Sequence, residues 1–125
     1  MPKFIAQHAP HILGIDLFTE DYFSAIEWLL DDKIDRSTIR GFAPEAVASA
    51  KVDCEAFQQA NANDLKAYQQ FTGHSGGVGL WLTRNGHESG FFDKGLGDLG
   101  YRLKTAARLR GQDSYQGDDG WIYLS

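Results

Sequence analysis

Cys54 is the only cysteine in the chain, and as a thiolate it would be a nucleophile. It falls on the apolar stripe Val47, Ala50, Cys54, Phe57 and Asn61, so the expectation is burial as a small hydrophobe. A single cysteine also excludes an intramolecular disulfide and any cysteine-rich metal site. His8 and His11 have the spacing to ligate a metal from one helical turn, but Pro10 lies between them and no third ligand follows at a recognisable distance. His74 sits in the run Gly73-His74-Ser75-Gly76-Gly77, and His87 follows Asn85-Gly86 directly. Both are expected on the surface, where a general base acting on a nucleotide is the least favoured of three functional readings.

Asp118-Asp119-Gly120 has the acidic-Gly start of a calcium loop, yet no Glu follows at the required spacing, and a hairpin turn accounts for the residues. Gly95-Leu96-Gly97-Asp98-Leu99-Gly100 imitates a phosphate-binding glycine run. It follows no Val/Ile-rich strand, no Lys-Ser/Thr closes it, and Asp98 would repel phosphate. Arg102, Lys104, Arg108 and Arg110 put four cations on nine residues, which suits single-stranded nucleic acid or a solvated helix face. No Walker sequence appears, neither a Gly-x-Ser-x-Gly elbow nor a cofactor is expected, and the balance favours binding over catalysis.

These residues need elements to position them, and composition bounds what those are. At 125 residues, 42% hydrophobic and 13% aromatic, the chain has the material for one domain, residues 1–125, with 1–17 expected as a loosely ordered extension. Met1 to Leu17 is too interrupted by polar residues for a signal peptide, and no apolar run reaches membrane-spanning length, so export and membrane insertion are not expected. The net charge of −5 is uneven: residues 1–66 carry 11 Asp/Glu against 6 Lys/Arg, and the remainder is balanced. An acidic first half argues against non-specific duplex binding.

Thr19 reads as an N-cap, with Phe18 and Phe23 as a hydrophobic staple, opening a helix from about Glu20 to Asp32. Tyr22, Phe23, Ile26, Leu29 and Leu30 face inward, while Glu27, Asp31 and Asp32 make an acidic outer face. Lys33 to Phe42 reads as a connection with an extended piece at Ser37-Thr38-Ile39. Pro44 at a first helical position opens a second helix to about Ala60. Asp64 to Phe71 makes a third, with Leu65, Tyr68 and Phe71 inward.

The period then changes from 3.6 to 2, and Asn85-Gly86 predicts a type I′ β-hairpin. Arg84 pairs with His87 at its tip, Trp81 faces Gly90, and Val78, Leu80, Leu82 and Phe91 share the core face. Asp98 opens a last helix to about Arg110, and Tyr115 to Tyr123 turns again at Asp119-Gly120. The expected fold is α+β: a small antiparallel sheet, made of the Asn85-Gly86 hairpin and C-terminal strands, covered by three to four helices.

The run Trp81-Leu82-Thr83-Arg84-Asn85-Gly86-His87-Glu88-Ser89-Gly90-Phe91-Phe92-Asp93, with Gly95 to Gly100 and Gly117 to Leu124, resembles a family of small uncharacterised proteins of tailed bacteriophages and prophages. Ala43-Pro44-Glu45-Ala46 and Asp53-Cys54-Glu55-Ala56-Phe57 resemble its middle helix. The resemblance implies the cytoplasm of an infected bacterium and supplies no catalytic residue.

The preferred expectation is therefore a non-enzymatic phage accessory factor that binds and blocks a host complex, such as a CRISPR effector or restriction enzyme. Its contacts would be Glu27, Asp31, Asp32 and Asp35, or the hairpin tip Arg84, Asn85 and His87. The alternative is a nucleic-acid-binding protein of phage replication using Arg102, Arg108 and Arg110.

Overall fold

In the computed structural model, residues 15–29, 41–86, 90–91, 95–107 and 114–124 are described. The fold is α+β, with five helices and a three-stranded sheet among those residues. The elements are α1 (Leu17–Trp28), β1 (Gly41–Phe42), α2 (Pro44–Ala60), α3 (Ala62–Thr72), α4 (Gly77–Arg84), α5 (Asp98–Ala106), β2 (Ser114–Gln116) and β3 (Trp121–Leu124).

Helix α1 starts three residues earlier than expected. Asp16, in extended backbone, accepts the Thr19 amide at 2.9 Å and occupies the N-cap, so Thr19 lies inside the first turn and is buried. The staple at Phe18 and Phe23 gives way to two core residues on the inner face. Helix α2 begins at Pro44 and ends at Ala60, as its proline and apolar stripe predict. Asn61 ends α2 and opens α3, donating from its side chain to the Phe57 carbonyl at 2.9 Å. Leu65 and Tyr68 point inward from α3, but Phe71 is 74% exposed.

Residues 77–84 are helical, which overturns the hairpin at Asn85-Gly86. Asn85 is the C-cap of α4: its amide and side chain both donate to the Trp81 carbonyl, at 3.3 and 3.0 Å. Gly86 follows at φ +79, the left-handed position that a glycine C-terminal to a helix adopts, and its amide bonds the Thr83 carbonyl. The Gly90 and Phe91 side of this region meets Thr83 rather than Trp81; the Phe91 amide donates to Thr83 Oγ1 at 3.0 Å.

Two glycines explain why a helix fits here. A Cβ on Gly77 would lie 2.0 Å from the Phe18 carbonyl oxygen, and one on Gly79 would lie 2.7 Å from the Phe91 ring. Helix α4 therefore packs on α1 backbone to backbone, with Leu80 and Trp81 buried.

The sheet has the order β1-β3-β2 and is mixed rather than purely antiparallel. Strands β2 and β3 form the expected C-terminal hairpin, with Tyr115 opposite Tyr123, and β1 pairs in parallel with β3. The strand before α2 lies at Gly41–Phe42, and the proposed extended piece at Ser37-Thr38-Ile39 falls outside the described residues. Helix α5 opens at Asp98 but closes at Ala106; Leu109 and Arg110 lie outside the described residues.

One core joins these parts through aromatic rings. Phe57 stacks on Phe18 at 6.1 Å and on Phe91 at 5.9 Å, Tyr68 meets Phe91 edge-on, and Tyr22 meets Trp81 edge-on at 5.4 Å. Phe23 and Phe42, 4.6 Å apart, link α1 to β1.

Candidate functional site

The residue expected at an exposed tip is in fact built into the interior. Arg84, at the last position of α4, donates at 2.8 Å to the Tyr22 hydroxyl on α1 and at 2.8 Å to Asp53 Oδ2 on α2. Its side chain is 9% exposed. Burial alone would lower the guanidinium pKa, but Tyr22 and Asp53 outweigh it and raise it. Burial pushes the Tyr22 phenol well above its usual range, and the neighbouring Cys54 thiol up to about 12. This network ties three helices together. Burial, against the opposing pull of Thr19 and Arg84, holds Cys54 as a thiol, which removes the nucleophile that Cys54 would have offered.

Glu27 is also relocated. It is 4% exposed on the inner side of α1, so it cannot belong to a solvent-facing acidic stripe. Asp31, Asp32, Asp35 and His87 lie outside the described residues, as do Arg108 and Arg110. Asn85 is half-buried at the end of α4. Arg102 is exposed on α5, but it grips Asp64 of α3 with Nε at 3.1 Å and Nη2 at 3.0 Å, a two-pronged pair that engages its donor edge. The nucleic-acid reading loses strength at that residue.

Two surface depressions are lined by described residues. A wide groove of about 560 Å³ runs between the start of α1 and the α2–α3 junction, with Gln58, Gln59, Lys66 and Gln69 on its rim. Asp16 there already caps α1 and accepts from Gln58 at 3.0 Å. The second is a cleft of about 290 Å³ between α1, α4 and the loop joining α3 to α4. Asp21, Trp28, Tyr68, His74, Val78 and Leu82 line it.

Trp28 is 69% exposed, and Leu29 and Val78 nearby in the fold are 46% and 41% exposed. Leu29 and Val78 were expected inward, and the shorter α1 and the helical α4 turn them out. Neither Trp28 nor Asp21 stood out in the sequence as a site. The available signal was their seven-residue spacing, two helical turns, which places both on one face.

Contrary to expectation, the same loop spells Gly73-His74-Ser75-Gly76-Gly77, the Gly-x-Ser-x-Gly order of a hydrolase nucleophile elbow. The structural context differs from an elbow. A helix rather than a strand precedes the serine, and Ser75 Oγ donates straight to Asp21 Oδ2 at 2.6 Å while accepting the Gly77 amide at 3.2 Å. Among the described residues no imidazole stands between serine and carboxylate; Ser75 holds the first amide of α4 and fixes Asp21.

Among the described residues, no three His, Cys, Asp or Glu side chains gather as a metal set. No helix among them is long and apolar enough to cross a membrane. Compared with protein-family models, with curated proteins and with solved structures, the chain matches none.

Proposed function

We propose that this chain is a non-catalytic binding protein that docks on a host macromolecular complex and blocks it. The complex would be a defence assembly such as a CRISPR effector or restriction enzyme, met in the bacterial cytoplasm by a phage accessory factor. The observation that carries the binding reading is the exposed indole of Trp28 at the mouth of the α1–α4 cleft, beside exposed Leu29 and Val78. Tryptophan leads the residue types that anchor protein interfaces, because one ring buries a large area at little entropic cost. The phage assignment draws on the sequence runs around Trp81 to Asp93.

Affinity capture of the tagged chain from a bacterial lysate tests the reading. The expected result is retention of a nuclease or effector subunit by the wild-type chain and its loss with Trp28→Ala. Capture that is indifferent to Trp28 moves the interface elsewhere. Hydrolysis of a simple ester that disappears in Ser75→Ala would replace binding with catalysis.

A further inference from the structure

We propose that the cleft between α1 and α4 receives one long cationic side chain, a lysine or an arginine, presented by the partner. This inference rests on the binding reading above and gives its contact a chemistry. Asp21 and Trp28 share one face of α1 and stand about 10 Å apart along its axis, the rise of seven helical residues.

Trp28, Val78 and Leu82 give the cleft its apolar lining, and Tyr68 and His74 also line it. Asp21 brings a carboxylate to the same cleft. Ser75 Oγ fixes its Oδ2 at 2.6 Å, which aims the group and leaves Oδ1 for a second donor.

An apolar wall leading to a carboxylate is the complement of a side chain with an aliphatic stem and a cationic head. The indole face adds attraction for an ammonium or guanidinium group. A neutral apolar side chain would cover Asp21 without balancing its charge, and an anionic one would be repelled. The cleft, about 290 Å³, is at the small end of the range for ligand sites, which suits one side chain rather than a cofactor. A net charge of −5 favours approach of a basic surface.

The test is a titration of the full ¹⁵N-labelled chain with short capped peptides that differ only in one central residue: arginine, lysine or the neutral isostere citrulline. The Trp28 indole N–H is followed by NMR, with the buried Trp81 as an internal control of the fold. Arginine and lysine peptides are expected to shift Trp28 saturably at millimolar concentration, as befits a single side chain. Citrulline should shift it far less.

Asp21→Asn keeps an acceptor for Ser75 and should weaken the response about three- to tenfold with Trp81 unmoved. An equal response to citrulline, or no saturable shift with arginine, overturns the proposal. A captured partner whose retention is unchanged by Asp21→Asn also sinks the cleft model and leaves the binding reading standing. A charge-selective peptide response with no partner captured sinks the binding reading instead.

Discussion

At Arg84 a guanidinium is held between a phenol and a carboxylate from two other helices, which makes this residue a structural tie and not a contact. Removing one member of such a pair leaves the others desolvated and unmatched. Arg84→Ala should cost about 2–3 kcal/mol in denaturant unfolding, whereas an exposed loop-tip arginine would cost less than about 0.5 kcal/mol.

Cys54 provides a second check. Burial raises its thiol from 9.0 to about 12, so folding favours the protonated form. That stabilisation is complete below about pH 9 and is lost as pH rises through about 12. Unfolding midpoints should therefore fall over this alkaline window, and Cys54→Ala should flatten the decline. A wild-type profile that stays level would contradict the burial. In the native state at neutral pH, a thiol reagent should leave Cys54 unmodified until denaturant is added.

The fate of residues 77–86 shows what an element can hide. Asn-Gly meets the positive-φ demand of a type I′ turn, but it equally suits a helix that ends on a C-cap asparagine and a left-handed glycine. The eight residues before it alternate too briefly to separate period 2 from period 3.6. What decided the matter was long-range: Gly77 against the Phe18 carbonyl and Gly79 against the Phe91 ring.

Gly77→Ala should therefore destabilise the chain by roughly 2 kcal/mol or more, because backbone on both sides must move. A helical chemical-shift pattern over 77–84 accompanies this expectation; a strand pattern there, or a neutral Gly77→Ala, would restore the hairpin. Helix α2 was legible because Pro44, the stripe to Phe57 and Asn61 all agree locally. The start of α1 was displaced by three residues because Asp16 and Thr19 both have cap chemistry, and only the Asp16-to-Thr19 bond chooses between them. The parallel β1–β3 pairing joins residues about eighty positions apart and had no local sign.

For the whole molecule, the α+β class and the C-terminal hairpin could be read from pattern, while the candidate site could not. The sequence drew attention to charges, and packing then buried Glu27, tied Arg84 to Tyr22 and Asp53 and paired Arg102 with Asp64. The cleft depends instead on α1 crossing a helix that pattern reading made a strand, so Asp21 and Trp28 had no wall opposite them until α4 was in place.

The proposed role is occupancy of a host complex. Stoichiometry is its most direct measurement: the activity of the captured host complex is titrated with the wild-type chain and with Trp28→Ala. Occupancy predicts loss of activity that saturates near one chain per binding site and is relieved by Trp28→Ala at an unchanged melting temperature. Loss of activity at far less than one equivalent, growing with time, would mean that the chain turns over a substrate and would contradict the account.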